Sequence, residues 1–271
     1  MTRKNEKGQA VPEQTVFMTE KDFGPSDETA VYWLGNGGAH INARGTNIMI
    51  DPLLKGFDMP VLIESPIQPE QVPAIDGVLI THIDNDHFSR PTLKELKKCG
   101  SFHATQYVAE EMRKEGLDGT GHDIGDSFEI GNTRITLTPA KHNWQNEMTK
   151  PKYTFREWKE EEYCGYWLET PDGTIWMPGD SKLLQSQLEM PQPDLILFDF
   201  SDNDWHITFE GAVKMANVYP DAALVCIHWG TVDAPEMSTF NGDPDRLKAS
   251  VINPERVIVL DPGQRYVLKK K

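Results

Sequence analysis

The chain has 271 residues and a formal net charge of −15, from 42 acidic and 27 basic side chains. This length accommodates a large core in one domain, and the acidic balance disfavours the phosphate backbone of a nucleic acid. The three cysteines, Cys99, Cys164 and Cys226, form no CxxC pair and are odd in number, which is typical of a reduced compartment. We therefore expect a cytoplasmic protein without a nucleic-acid partner.

The N-terminal segment is polar and charged, and it lacks the apolar stretch of a secretory signal. No run of about 18 apolar residues occurs in the chain, so no membrane span is expected. No Gly/Ser-rich or Pro-rich linker divides the remainder. We predict a polar N-terminal tail, 1–22, followed by a single domain, 23–271. The oligomeric state stays open, with a homo-oligomer among the alternatives.

The first half of the chain contains strand-like runs rich in β-branched and aromatic residues, separated by Gly, Asn and Pro. They lie at Ala30–Leu34, Asn47–Ile50 and Gly77–Thr81. Helices are predicted next, over Pro91–Lys98 and Gln106–Gly116, from apolar spacing and terminal Pro or Gly.

The second half contains another set of strands, with one helix among them. The strands are predicted around Tyr163–Glu169, Thr174–Met177, Leu195–Phe198 and Ala223–Ile227, and the helix over Thr208–Val218. Two sets of strands with helices between and after them predict an α/β protein, a four-layer αββα sandwich of two similar halves.

A dense group of potential metal ligands follows the strand at Gly77–Thr81. It contains His82, Asp84, Asp86 and His87. Imidazoles suit zinc, iron or manganese and carboxylates suit harder cations, so the mixed group indicates a catalytic first-row metal site. In an extended segment residues two apart share a face, and a turn at Asp86 can direct the last two side chains toward a second metal. The alternative is that the acidic residues form a turn or a helix cap.

Three more ligand-type residues occur downstream, each just after its own strand-like run. They are His142, Asp180 and His228. Any one of them alone would be an ordinary loop residue. Together, at the ends of successive strands, they favour a single metal centre.

The order of these residues resembles the signature of the metallo-β-lactamase superfamily, a T-H-x-H-x-D-H loop followed by a His, an Asp and a final His. The resemblance runs from about Val31 to Leu268. It implies a dinuclear site whose first metal is held by His82, Asp84 and His142. The second metal would be held by Asp86, His87 and His228, with Asp180 as the bridging carboxylate.

Four segments resemble the branch that contains ascorbate-6-phosphate lactonase and N-acylphosphatidylethanolamine phospholipase D. They are Thr138–Trp144, Met177–Asp180, His206–Ala212 and Ile227–Thr231. Two residues depart from the pattern. Asn36 stands where this branch often has histidine, and Asp84 stands where the family usually has histidine. A carboxylate at 84 moves the expected metal preference from zinc toward manganese or iron.

The resemblance implies a hydrolase that uses two divalent metal ions, Zn, Mn or Fe, on a small-molecule ester, lactone or phosphodiester. Metal-bound Asp86 is expected to orient the attacking water or carry its proton. His206, just before a helix start, is expected to donate to an oxyanion or a leaving oxygen, and its alternative is a surface histidine beside a capping threonine. The stretch 147–162 is predicted to rim the site, with Lys141 and Arg156 as candidate anchors for a substrate anion or as solvated charges.

Two other functions fit the sequence. Flavodiiron oxygen and nitric oxide reductases carry a carboxylate at the position of Asp84, which favours a diiron redox protein. Such proteins need an electron donor such as a flavodoxin-like domain, and the residues after Leu268 are too few to supply one. The other alternative is a non-catalytic metal-binding homologue, which the change at Asp84 favours.

Overall fold

Two β-sheets, packed face to face, form the body of the protein in the computed structural model, which describes residues 1–96 and 98–269. In chain order the strands are β1 (Arg3–Lys4), β2 (Ala10–Val11), β3 (Thr29–Gly35), β4 (Gly38–Ala43), β5 (Thr46–Ile50), β6 (Gly77–Ile80), β7 (Phe102–Thr105), β8 (Gly119–His122), β9 (Ser127–Ile130), β10 (Thr133–Pro139), β11 (Cys164–Thr170), β12 (Gly173–Met177), β13 (Leu195–Phe198), β14 (Ala223–Cys226), β15 (Val257–Ile258) and β16 (Arg265–Val267). The helices are α1 (Arg90–Glu95), α2 (Gln106–Lys114), α3 (Pro151–Thr154), α4 (Phe209–Val218) and α5 (Pro244–Lys248).

The two large sheets share one plan. The spatial order of the first is β16-β3-β4-β5-β6-β7-β8, and that of the second is β9-β10-β11-β12-β13-β14-β15. In each order the first four strands pair antiparallel and the remaining strands pair parallel. This arrangement confirms the predicted sandwich of two similar halves.

Strand β3 shows why both faces of a sheet are apolar here. Val31 and Trp33 belong to the cluster between the sheets, while Tyr32 and Leu34 belong to the cluster under the outer helices. Successive side chains of a strand point to opposite faces, so burial on both sides needs a continuous apolar run. The same two-sided burial places α2 against the first sheet and α4 against the second.

Most predicted elements lie within a few residues of the observed ones, but several observed strands, β4 among them, were not predicted. The sequence of β4, Gly-Ala-His-Ile-Asn-Ala, has few β-branched residues, and the ladder bonds to β3 and β5 hold it in place. Helix α1 ends at Glu95 rather than at Lys98, and position 97 lies outside the described residues.

The segment 1–22, predicted to be a polar tail, lies along the domain. Strands β1 and β2 pair with each other, and Ala10 and Val11 are buried. The Thr2 backbone N–H donates to Asp245 Oδ2 at 2.7 Å, and Gln9 Nε2 donates to the Val232 carbonyl at 3.1 Å. The division of the chain at residue 22 stays a prediction. No helix in the described part of the chain has both the length and the apolar character needed to cross a bilayer.

Candidate metal centre

The predicted ligands meet at one edge of the sandwich. Strands β10, β12 and β14 run in the same direction, and His142, Asp180 and His228 follow their carboxyl ends. The loop after β6 brings its four ligand-type residues to the same place. The predicted ligands fall into two groups, and within each group the candidate ligand atoms lie within 4.8 Å of one another. The first group is His82, Asp84 and His142, and the second is Asp86, His87, Asp180 and His228.

A single carboxylate oxygen lies between the two groups. Asp180 Oδ2 is 3.1 Å from His87 Nε2 and 3.4 Å from His228 Nε2, in the second group. It is also 3.9 Å from His142 Nε2, in the first group. Asp84 Oδ2 completes the first group, at 3.5 Å from His82 Nε2 and 3.4 Å from His142 Nε2. The two groups of candidate ligands therefore adjoin each other at the Asp180 carboxylate.

Three buried ring nitrogens test whether a metal fits. Nε2 of His82, His87 and His228 is buried and has no hydrogen-bond partner among the described residues. The facing carboxylates stand at 3.1–3.5 Å without hydrogen-bond geometry. A buried nitrogen without a partner costs about 1–3 kcal/mol, and a metal ion in each group would satisfy these nitrogens. The donor set of imidazoles and carboxylates suits a first-row divalent ion.

Asp51, at the end of β5, orients the histidines and was missed by sequence reasoning. Its Oδ2 accepts the Thr81 hydroxyl at 2.5 Å and contacts His87 Nδ1 at 2.8 Å. Thr81 Oγ1 in turn lies 2.9 Å from His82 Nδ1. Contacts at Nδ1 fix the ring so that Nε2 faces the candidate metal site. The available signal was an acidic residue directly after the apolar run Ile48–Ile50.

Asp84 is held by a set of donors suited to a carboxylate. The Trp144 indole N–H donates to Oδ2 at 2.7 Å, and Gln145 Nε2 donates to Oδ1 at 2.9 Å. The Tyr163 hydroxyl donates to Gln145 Oε1 at 2.7 Å, which turns the amide N–H toward Asp84. A neutral histidine at position 84 has at most one acceptor nitrogen, so at least one of these two donors would lose its acceptor.

The charges of the centre favour ionised carboxylates. Burial raises the pKa of Asp84, but the adjacent imidazoles of His142 and His82 outweigh this effect and hold the pKa far below its usual value. Burial likewise opposes ionisation of Asp180, but His228 and other histidines bring its pKa well below the ordinary one. Metal ligands must be deprotonated, so these carboxylates are in the form that binds.

His206 lies at the edge of the centre and is buried, so it is not a surface histidine. Its Nδ1 is 2.8 Å from Asp199 Oδ2, and its Nε2 is 3.7 Å from Asp180 Oδ2. Asp199, at the end of β13, was also missed, because a lone carboxylate within Leu-Phe-Asp-Phe gives little signal. The expected capping threonine is present, since Thr208 Oγ1 accepts from the Gly211 backbone N–H at 3.2 Å.

The turn between β3 and β4 supports the second group. Asn36 Nδ2 donates to Asp86 Oδ2 at 3.2 Å, and the Asn36 carbonyl accepts from the His228 backbone N–H at 2.7 Å. Asn36, Asp51 and His228 have φ of 44°, 45° and 61°, in the left-handed region. Such backbone conformations cost of the order of 1–3 kcal/mol each and cluster at functional sites.

A pocket of about 560 Å³ opens over the centre. Asp84, Asp86, His142 and Asp180 lie in its floor or wall together with several aromatic side chains. Helix α3 adds Lys152 and Tyr153, and Trp158 follows, so the stretch 147–162 contributes to the rim as predicted. The candidate anion anchors are engaged elsewhere. Lys141 pairs with Glu160, and Arg156 pairs with Glu162.

Comparison with known proteins identifies the family. Residues 46–229 match the family described as "Beta-lactamase superfamily domain", and the chain belongs to this superfamily. A "UPF0173 metal-dependent hydrolase" of Korarchaeum cryptofilum is 25% identical over 248 residues, covering 88% of this chain and 99% of the relative.

Two solved structures show the same fold. A possible metal-dependent hydrolase from Veillonella parvula is 17% identical with a TM-score of 0.72, covering 89% of this chain and 100% of the other. The diiron β-hydroxylase CmlA from Streptomyces venezuelae is 15% identical with a TM-score of 0.62, covering 90% of this chain and 55% of the other. At these identities the likenesses concern the fold alone.

Proposed function

We propose that the protein is a metal-dependent hydrolase that cleaves a small ester, lactone or phosphodiester with a metal-activated water. The observation that carries the proposal is the set of buried, unpartnered Nε2 atoms of His82, His87 and His228 facing Asp84 and Asp180. The relatives named metal-dependent hydrolases support the reaction class. The likeness to the lactonase and phospholipase D branch rests on the sequence segments and stays a prediction.

The residues present fit two divalent ions. His82, Asp84 and His142 would hold one, Asp86, His87 and His228 the other, and Asp180 Oδ2 would contact both. Bound metals of this kind lower the pKa of water to roughly 7 and polarise the substrate oxygen. The third carboxylate, Asp84, favours manganese or iron over zinc.

Hydrolysis of an ester forms one carbon–oxygen bond, breaks another and transfers one proton. The water oxygen forms a bond with the carbonyl carbon, the bond from that carbon to the leaving oxygen breaks, and the proton of the water passes to the leaving oxygen. Asp86, whose side chain is 13% exposed toward the pocket, orients the water and accepts its proton. His206 is fixed through Nδ1 by Asp199, so its Nε2 faces the reacting groups and delivers a proton to the leaving oxygen.

The test is hydrolysis of phenyl acetate, δ-valerolactone and bis(4-nitrophenyl) phosphate by the purified full-length protein, before and after chelation. We expect turnover of at least one substrate, loss on chelation, and recovery with added Mn²⁺, Fe²⁺ or Zn²⁺. In His206→Gln we expect kcat to fall about 10²- to 10⁴-fold at unchanged metal content. The control His122→Gln changes a histidine that lies outside the centre and should keep the native kcat.

Three results would contradict the proposal. They are turnover that survives chelation, bound metal without turnover of any substrate, and an iron protein that consumes oxygen without hydrolysis. The second result would favour the non-catalytic metal-binding protein, and the third would favour the diiron redox protein.

A further inference from the structure

Aromatic rings form two clusters in the wall of the pocket. The Trp144 ring lies 4.9 Å from that of Tyr153 and 5.9 Å from that of Trp205, between centroids. Elsewhere in the wall, Phe57 and Phe240 meet edge to face at 6.2 Å. Rings of this kind bury flat apolar groups by stacking or edge contacts.

The polar atoms of these tryptophans are already engaged. The Trp144 indole N–H donates to Asp84, and that of Trp205 donates to Glu147 Oε2 at 2.7 Å. The rings therefore offer apolar surface to a ligand rather than hydrogen-bond donors. In pockets of this composition, apolar walls supply affinity and a few polar groups fix the orientation of the ligand.

The pocket offers few cationic side chains to an anionic substrate. The charges of Asp84, Asp86 and Asp180, as candidate metal ligands, would be offset by the ions. Among the other described lining residues, Asp58 is acidic and Lys152 is the one lysine or arginine. Lys152 Nζ lies 4.5 Å from the centroid of the Tyr153 ring. Recognition of phosphate usually relies on arginine or lysine donors. In addition, a carboxylate ligand at Asp84 offsets more of the metal charge than a histidine would.

From these observations we propose that the substrate is an uncharged carbonyl ester or lactone with a flat apolar group, rather than a phosphodiester. The proposal rests on the hydrolase function proposed above. The apolar group packs against Tyr153 and Trp205, and the ester carbonyl points to the metal centre. Water adds to the carbonyl carbon and the carbon–oxygen bond breaks, which gives a carboxylic acid and an alcohol, or a hydroxy acid from a lactone.

Equilibrium binding tests this choice without turnover. The ligands are acetanilide, the amide counterpart of phenyl acetate, and methyl phenyl phosphate, which carries the same ring on an anionic diester. Binding to the full-length protein with its metals is measured by calorimetry and by tryptophan fluorescence. We expect acetanilide to bind at least about tenfold more tightly than the phosphate.

Substitutions of the aromatic residues in the pocket wall test whether acetanilide binds in this pocket. We expect Tyr153→Ala and Trp205→Ala each to weaken acetanilide binding by about 2- to 10-fold, the contribution of an aromatic contact. Phe17→Ala is the matched control, because Phe17 is 63% exposed and lies outside the pocket lining. Its affinity should equal that of the native protein, and circular dichroism checks that each variant is folded.

Tighter binding of the phosphate, lost in Lys152→Met, would overturn the proposal in favour of a phosphodiester. Equal binding of the two ligands, unchanged in Tyr153→Ala and Trp205→Ala, would also overturn it. Turnover of phenyl acetate and methyl phenyl phosphate, measured side by side, separates the two proposals. No turnover of either, together with none in the wider panel above, refutes the hydrolase function, whereas faster turnover of the phosphate refutes the substrate class alone.

Discussion

At residue 84 the chain departs from the usual ligand pattern of its superfamily, and the surrounding side chains are fitted to a carboxylate. Trp144 and Gln145 donate to both oxygens of Asp84, and Tyr163 fixes the orientation of Gln145. Partners of a metal ligand orient it and tune the metal, and losing one typically costs about 10- to 100-fold in affinity or activity. The side chains around residue 84 are thus arranged to hold a carboxylate at this position.

Substitution at this residue should change which metal is bound. We expect Asp84→His to raise the zinc-to-manganese ratio, because an imidazole replaces a hard oxygen donor. The measurement is elemental mass spectrometry of stripped protein after incubation with equal concentrations of Mn²⁺, Fe²⁺ and Zn²⁺. Asp118→His, which changes an exposed aspartate away from the centre, serves as the control. A ratio that stays the same in Asp84→His would show that this carboxylate does not set the preference.

At the scale of elements, the turn between β3 and β4 shapes the second group of ligands. A β-carbon at Gly37 would lie 2.5 Å from His87 Cε1, a separation that atoms cannot adopt. Because His87 Nδ1 also contacts Asp51 Oδ2, moving the ring away from the added β-carbon would break this contact. The glycine is therefore required for the ring of His87 to lie where it does.

We expect Gly37→Ala to displace His87 and to empty the second metal site while the protein stays folded. Elemental analysis should show about half the native metal content, and kcat should fall with it. Gly24→Ala is a suitable comparison, since a β-carbon there would meet its nearest neighbour, the Lys21 carbonyl oxygen, at an ordinary 3.4 Å. Native metal content in Gly37→Ala would mean that His87 does not need its observed position.

The positions of the strands explain which site residues could be predicted from the sequence and which could not. His142, Asp180 and His228 could be predicted because each follows an apolar strand, and the ends of co-directional strands meet. Asp51 and Asp199 also follow apolar strands, but their roles could not be predicted, because these roles depend on hydrogen bonds to His87 and His206. The engagement of Lys141 and Arg156 by glutamates is likewise a tertiary contact without a sequence pattern.

At the scale of the whole molecule, the last strand of the second half belongs to the sheet of the first half. Strand β16, the last in the chain, pairs with β3 and completes the first sheet, with Tyr266 opposite Val31. This pairing between distant parts of the chain was not predicted, because a three-residue strand has no distinctive period. It links the C-terminal region to the sheet that carries the loop of His82 and His87.

The stability of the molecule should depend on pH through His40, on β4. Its ring is buried beside Phe23 and Tyr32, and burial lowers its pKa from 6.5 to about 4. Between these values the unfolded chain binds a proton that the folded protein does not. Stability from this group is therefore complete above about pH 6.5 and is lost as the pH falls through about 4, a difference of about 3 kcal/mol.

Urea unfolding at pH 7 and pH 4.5 measures this effect. We expect the native protein to lose about 2 kcal/mol more than His40→Gln between the two pH values, because the variant lacks the titrating ring. His122→Gln, at a partly exposed histidine, should alter the pH dependence less. An unchanged loss in His40→Gln would assign the acid sensitivity to other groups.

A titration of metal-stripped protein with Mn²⁺, following metal uptake and ester hydrolysis together, tests the proposed metal-dependent hydrolysis most directly. We expect hydrolysis to rise with metal uptake and to stop rising at about two ions per chain, as a two-metal centre requires. A protein that takes up no metal, or that hydrolyses the ester without metal, would not be a metal-dependent hydrolase.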